Sequence, residues 1–312
     1  MAHSVRGEIA VKTNVPQRAR SVAEWLPMAV QVFDGDEIAA SIASWQPRAS
    51  DVVISPFAKC GTTWLQQTFH TLRTRGDMDF DDISRVVPWI ETSRALDIDL
   101  EAPQRAGPRG FKSHLPYDRL PGGARAVVSL RDPKDALVSF YRFMEGWFLE
   151  PGAVSIAEFA AVWIARAGGD GGYWHHLTSW WEQRDNPDVL LLSYEHMTAD
   201  PALHVRKLAA FCGIALDEPL LVLTLERSSL TFMLRHKDKF DDLGMRTMSE
   251  RRCHLPPGSD SAKVRTGGKH ARELSPELIA ELDAIWTKTV TPRLGFADYA
   301  SLEKELRRRN SN

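Results

Sequence analysis

The sequence predicts an α/β fold: a central, mostly parallel β-sheet flanked by helices, in a single domain over residues 1–312. Three observations carry this. Short apolar runs alternate along the chain with longer segments of helical periodicity. A chain of 312 residues buries roughly three quarters of its unfolded surface, enough for one large core. The most polar stretches, 101–110, 118–124, 166–172 and 254–268, are too short to link two domains, and no internal repeat is present.

Each element has a local reason. Residues 51–55 (DVVIS), 109–112, 124–130 (ARAVVSL) and 188–193 (DVLLLS) read as buried strands. Residues 62–73 place Trp64, Leu65, Thr68, Phe69 and Leu72 on one helical face. Helices are also expected over 134–148, where Asp132 caps and Pro133 opens the first turn, and over 173–183. A helix over 201–212 stops at Gly213, and one over 275–288 has Ser275 as N-cap before Pro276.

Lys and Arg number 39 against 41 Asp and Glu, a net charge of −2. No extended basic surface for a polynucleotide or an anionic membrane follows from that balance. A small, concentrated anion site remains compatible with it. Cys60, Cys212 and Cys253 make no disulfide framework, and without a CxxC a zinc ribbon is not indicated. The first 20 residues lack a signal-peptide apolar core, and no apolar run reaches the roughly 20 residues of a membrane span. A soluble, cytoplasmic protein is expected.

In such sheets, ligands sit beyond the carboxyl ends of the strands. After 51–55 comes Pro56-Phe57-Ala58-Lys59-Cys60-Gly61-Thr62-Thr63-Trp64. Free amides at a helix start, two hydroxyls and Lys59 together suit an anion; a capped turn with a surface lysine is the plainer alternative. The GK[ST] of a nucleoside triphosphate loop is missing from the chain, because here the lysine precedes the glycine. A cysteine-phosphatase loop places arginine six positions after its cysteine, where Gln66 stands. Cys60 therefore reads as a small packing residue.

After the second strand come Lys112-Ser113-His114-Leu115-Pro116. Alternation puts Lys112 and His114 on one face. They are either exposed strand-end residues or a base with a cation beside it. After the third strand Arg131 can grip a phosphate, or simply sit at the surface before a capped helix, and Ser139 follows eight residues later. The His175-His176 pair lies on a helix beside Trp174 and reads as packing or surface. The basic tail, Arg307 to Arg309, reads as a solvated helix end.

Together these segments resemble the nucleotide-dependent sulfotransferases of cytosolic type, a P-loop NTPase-like fold. Lys59-Cys60-Gly61-Thr62-Thr63-Trp64 is similar to the family's Lys-Ser-Gly-Thr-Thr-Trp loop, and Lys112-Ser113-His114-Leu115-Pro116 to its Lys-Thr-His-Leu-Pro strand end. Arg131 to Ser139 keeps the family's separation, and Arg265-Thr266-Gly267 is similar to its late Arg-Lys-Gly turn. Trp180-Trp181-Glu182 and Tyr194-Glu195-His196-Met197 match further landmarks in order. The resemblance runs from about residue 51 to 290.

The resemblance implies sulfuryl transfer from 3′-phosphoadenosine 5′-phosphosulfate (PAPS) to the hydroxyl of a small hydrophobic or phenolic acceptor, leaving 3′-phosphoadenosine 5′-phosphate (PAP). It implies His114 as the base for in-line attack, Lys59 on the leaving oxygen and Lys112 on the moving group. It places the loop, residues 59 to 64, on the 5′-phosphate, with Arg131, Ser139, Arg265, Thr266 and Gly267 at the 3′-phosphate. Trp64, Tyr194, Leu230 and Met233 then contact the adenine end, and Trp89, Phe57 and Phe143 the acceptor, with Trp147 and Phe148 beside them. The sulfuryl group carries less charge than a terminal phosphate, so no metal is expected.

Departures from the pattern are specific. Cys60 replaces a loop serine, and Thr266 replaces a cation that Lys263 or Lys269 can make up for. Leu230 stands where a phenylalanine is expected, with Phe232 as substitute. The family's dimer motif is missing, which suggests a monomer or weak dimer. Two rival functions are a P-loop-like kinase of a small alcohol and a non-catalytic nucleotide-binding relative. The first lacks its GK[ST]; the second has no need to retain Lys59, Lys112 and His114.

Overall fold

Among the described residues, four short strands, all parallel, carry the fold: β1 (Val52–Ile54), β2 (Gly110–Lys112), β3 (Arg125–Leu130) and β4 (Val189–Ser193). This computed structural model describes residues 16–169, 171–258, 263–265 and 273–311. The strand order is β2-β1-β3-β4. Val52 pairs with Gly110 on one side and Arg125 on the other, and Ala126 pairs with Val189. The chain therefore leaves β1 to one side and later returns to its other side. That reversal opens a crevice between the carboxyl ends of β1 and β3.

The strand faces divide the core. Ala126, Val128 and Leu130 of β3 point into one buried cluster and Val127 into another, following the two-residue strand period. Gly110 is required where it stands, because a Cβ there would lie 2.1 Å from the Phe69 ring.

The helices follow in chain order. Before the sheet lie α1 (Val22–Val32) and α2 (Gly35–Ser44), and after β1 come α3 (Thr62–Thr74) and α4 (Ile83–Val86). Between β3 and β4 run α5 (Pro133–Trp147), α6 (Ile156–Ala167) and α7 (Tyr173–Trp181). After β4 come α8 (Tyr194–Ala199), α9 (Pro201–Cys212), α10 (Glu218–Arg227), α11 (Leu230–Arg235) and α12 (Leu243–Cys253). The chain closes with α13 (Pro276–Thr289), α14 (Thr291–Leu294) and α15 (Tyr299–Ser311). Helices α3, α9 and α10 cover one face of the sheet, and α1, α5, α6, α7, α13 and α15 the other.

All four predicted strands are present, trimmed by one or two residues. Asp132 caps α5 with Pro133 in its first turn, Ser275 caps α13, and Gly213 ends α9 in the left-handed region. Helices α1, α2, α4, α6, α8, α10, α11, α12 and α14 have no counterpart in the sequence reading. Arg307, Arg308 and Arg309 pair with Glu303 and Glu305 along α15, and Arg309 reaches Asp185. His176 is buried, its Nε2–H donating to the Ser55 carbonyl at 2.9 Å, and His175 lies 3.1 Å from Asp118. Among the described residues, no helix is long and apolar enough to cross a membrane.

Candidate active site

The crevice beyond β1 and β3 widens into a cavity of about 1260 Å³. That is more than the 300 to 1,000 Å³ or so that one small ligand occupies, and leaves room for two. Its wall changes character along its length. One end is cationic and hydroxyl-bearing; the other is aromatic.

The cationic end is built on the β1–α3 loop. Lys59 adopts φ 70° and Gly61 φ 101°. A Cβ on Gly61 would sit 3.0 Å from the Tyr194 ring and 3.2 Å from the Ser129 hydroxyl, so glycine is needed for both space and conformation. Gly61 offers no side-chain cap to α3. The first amides of that helix, with Thr62, Thr63 and Trp64, therefore lie open on the cavity wall.

The loop is tied to the end of β3. Ser129 Oγ donates to the Cys60 carbonyl, and an Arg131 Nη donates to the Lys59 carbonyl at 2.7 Å. The Arg131 guanidinium also lies 4.2 Å over the Tyr194 ring, which meets Trp64 edge-on at 6.0 Å. Cys60 points away: its side chain is buried, it is not in the cavity lining, and burial pushes its thiol up to about 12. Among the described residues, three buried donor atoms here have no partner: Thr62 Oγ1, Arg131 Nε and Arg265 Nη2. Each such group costs about 1–3 kcal/mol, more when charged, so three around one cavity suit an anion. Burial, with Arg142 and Arg131 nearby, brings the Arg265 guanidinium down to about 10. Ser139, Leu230 and Met233 also line this cavity, whereas Phe232 packs at a tilt against His236 outside it. Thr266, Gly267 and Lys269 lie outside the described residues.

At the junction stand Lys59, Lys112 and His114. Lys59 Nζ lies 4.3 Å from the centre of the Phe143 ring, and Lys112 Nζ 3.8 Å from that of Trp89. Burial and then the Lys263, Arg265 and Arg131 cations hold the Lys59 ammonium well below the usual lysine range. His114 Nδ1 lies 2.7 Å from the Pro56 carbonyl. A carbonyl only accepts, so Nδ1 carries the hydrogen, and in the neutral ring Nε2 is left as acceptor. The His114 amide donates to Glu91 at 2.6 Å. Burial, with Lys112 beside it, lowers the imidazole to about 3. The ring is neutral at pH 7, the form that can take a proton.

The aromatic end comprises Phe57, Trp89, Phe143, Trp147 and Phe148, all named from sequence, together with Trp25 of α1, Phe33 at its C-cap, and Phe159 and Trp163 of α6. The last four were missed. Their signal was weak: Trp25, Ala29 and Val32 share a helical face, but Pro27 interrupts the segment. Asp242, in the cavity wall beside Lys112, was also missed. Lys263 has its ammonium on Asp242, away from the 3′-phosphate role considered for it.

A crevice at a strand-order reversal, with open helix amides, clustered cations and an adjoining apolar chamber, defines an α/β enzyme that brings an anionic ligand to an apolar one. Comparison with known proteins agrees. The sulfotransferase domain family matches residues 49–294. The luciferin sulfotransferase of Photinus pyralis is 28% identical over 79% of this chain and 73% of its own. Human sulfotransferase 4A1 is 33% identical over 58% of this chain and 66% of its own. Among solved structures, mouse sulfotransferase SULT7A1 complexed with PAP superposes with a TM-score of 0.64 at 20% identity, covering 88% of this chain and 95% of that one. Retinol dehydratase with androsterone and PAP gives 0.62 at 17%, covering 81% and 84%. The chain belongs to the sulfotransferase family, in its cytosolic type, and is a sulfotransferase.

Proposed function

We propose that this sulfotransferase moves a sulfuryl group from PAPS to the hydroxyl of a small hydrophobic or phenolic acceptor, with His114 as general base. The observation that carries the reading is the His114 tautomer, with Nδ1–H on Pro56 O and Nε2 the free acceptor, at the junction of the cationic and aromatic ends. The unpartnered Thr62, Arg131 and Arg265 donors fit a ligand with phosphate at both ends, and PAP in the related crystal structures supports the same donor.

Bound PAPS supplies an activated sulfuryl group whose sulfur–oxygen bond to the 5′-phosphate breaks as the bond to the acceptor oxygen forms. His114 Nε2 takes the acceptor proton. Lys59 meets the charge that develops on the leaving oxygen, and Lys112 that on the moving group. The amides of α3 with Thr62 and Thr63 hold the 5′-phosphate; Arg131, Ser139 and Arg265 hold the 3′-phosphate. Trp64, Tyr194, Leu230 and Met233 flank the adenine. Phe57, Trp89 and Phe143 orient the acceptor and keep water out. In this reading one catalytic domain spans the chain, working as a monomer or weak dimer.

The test is calorimetry with PAP against ATP. PAP is expected to bind more tightly, by a margin that shrinks in Arg131→Ala and Arg265→Ala. Equal affinities would remove the donor assignment.

A further inference from the structure

Lys112, buried at the centre of the site, is not a free cation. Its Nζ lies 3.3 and 3.4 Å from the two carboxylate oxygens of Asp242, which also receive the Ser84 hydroxyl at 2.9 Å and the Lys263 ammonium. Asp242 is itself buried and stands at the N-cap position of α12. Aspartate there ordinarily accepts from the helix amides. Asp242 makes no such bond and adopts φ 46°, in the left-handed region. Both the cap and the ordinary backbone are given up, and the carboxylate turns instead into the cavity wall. Strain of this kind collects where function over-determines geometry.

The charges explain what the carboxylate does. Lys59, Lys112 and Lys263 face one another across a low-dielectric cavity, with His114 between strand and cavity and Asp82 at the start of α4. Buried ammoniums that close repel and lose their protons. Burial and then Lys263 bring Lys112 down to about 8, with Asp242 followed by Asp82 keeping it from falling further. Lys59 responds in the same directions to Lys263 and Asp242.

We propose that Asp242 is a positioning residue for sulfuryl transfer: its carboxylate holds the Lys112 ammonium on the face of Trp89 beside His114, and keeps Lys112 and Lys263 as charged neighbours in the cavity wall. This rests on the donor and base assigned above. Lys112 acts on the moving group; Asp242 acts through Lys112.

Two measurements test it, on wild type, Asp242→Asn and Lys263→Met. Asparagine tolerates the left-handed backbone and keeps the side-chain shape, so Asp242→Asn removes mainly charge. The first measurement is proton uptake when PAPS binds without acceptor, followed calorimetrically in buffers of different ionisation enthalpy. The second is the alkaline limb of kcat/KM for PAPS with 2-naphthol as acceptor, which follows free-enzyme groups. Relative to wild type, Asp242→Asn is expected to move both to lower pH by about one unit, with about a tenfold loss of kcat/KM above that limb. Lys263→Met, which removes a repelling cation, is expected to move both to higher pH. Opposite shifts from neighbouring substitutions mark a charge effect, which lost packing does not produce. Asp242→Glu should recover part of the wild-type limb. Proton uptake and limbs that coincide in wild type and Asp242→Asn overturn the proposal while leaving the donor and base assignments standing. A wild type that does not bind PAPS overturns both together.

Discussion

The two ends of the cavity are held in opposite ways. At the cationic end, position comes from backbone: φ 70° at Lys59, φ 101° at Gly61, and two loop carbonyls gripped by Ser129 and Arg131. Few conformations satisfy those bonds, so the spacing of residues along the chain is itself constrained. At the aromatic end, position comes from side-chain packing: Phe33, at the C-cap of α1, meets Trp89 and, on α5, Trp147, and Phe140 of α5 meets Phe159 of α6. Many residue sets fill such a space. Under the proposed function, the end that would hold the donor is written in local motifs, and the end that would take the acceptor is written in tertiary contacts.

Substitutions can break that comparison. The largest effect is expected at the junction. His114→Ala should lower kcat by about 10²–10⁴-fold while PAP affinity changes little; wild-type turnover in that variant ends the base assignment. Next comes the cationic end. Arg265→Ala should weaken PAP binding by about 10- to 100-fold, the range for a charged hydrogen bond, and leave the acceptor KM within about twofold. Phe33→Ala, at the aromatic end, should raise the acceptor KM by about tenfold, as expected for about 1–2 kcal/mol of lost apolar contact, with PAP affinity unchanged by calorimetry. Were Phe33→Ala to weaken PAP and Arg265→Ala to spoil acceptor binding, the division between the ends would fail. Gly61→Ala should cost roughly 1 kcal/mol or more of stability, seen as a melting temperature lower by a few degrees, and should weaken PAP in parallel.

The smallest effect expected is on the acid side of the pH profile. As the proposed base, His114 has to be neutral, and burial with Lys112 beside it holds its protonation down to about pH 3. Lys59 and Lys112 only gain charge as pH falls. The kcat at saturating PAPS and acceptor, which follows groups of the bound complex, should therefore not drop between pH 7 and 5. A limb near the ordinary histidine value of about 6.5 would mean that the ring is less buried, or less dominated by Lys112, than its contacts indicate.

Legibility in the sequence followed the same division. Strands β1, β3 and β4 are apolar on both faces because the sheet is covered on both sides, and such runs are visible in isolation. Helix α9 was legible to the residue because Pro201 opens it and Gly213 closes it. Helix α12 was not: LGMRTMSERRC has no sustained apolar stripe, and only Met245, Met248, Ser249 and Cys253 are buried. Helices α1 and α6 lie outside the βα alternation, so nothing in the motif order announces them. Phe232 illustrates the finer limit. It is the aromatic nearest to the expected position, yet one helical turn directs Leu230 and Met233 to the cavity and Phe232 to His236.

The sequence by itself determined the strand–turn–helix order, the glycine at a position only glycine can hold, and the set of cations placed after strand ends. These are local matters, decided within a few residues by backbone sterics and periodicity. It also determined a near-zero net charge, which conceals the cationic cluster. Only the tertiary structure decided which acids answer those cations. Asp242 is 130 residues from Lys112 and Asp82 caps a different helix, α4, and no spacing rule links them. Coulomb interactions depend on distance in space and on the dielectric of the place where the groups meet, and folding supplies both.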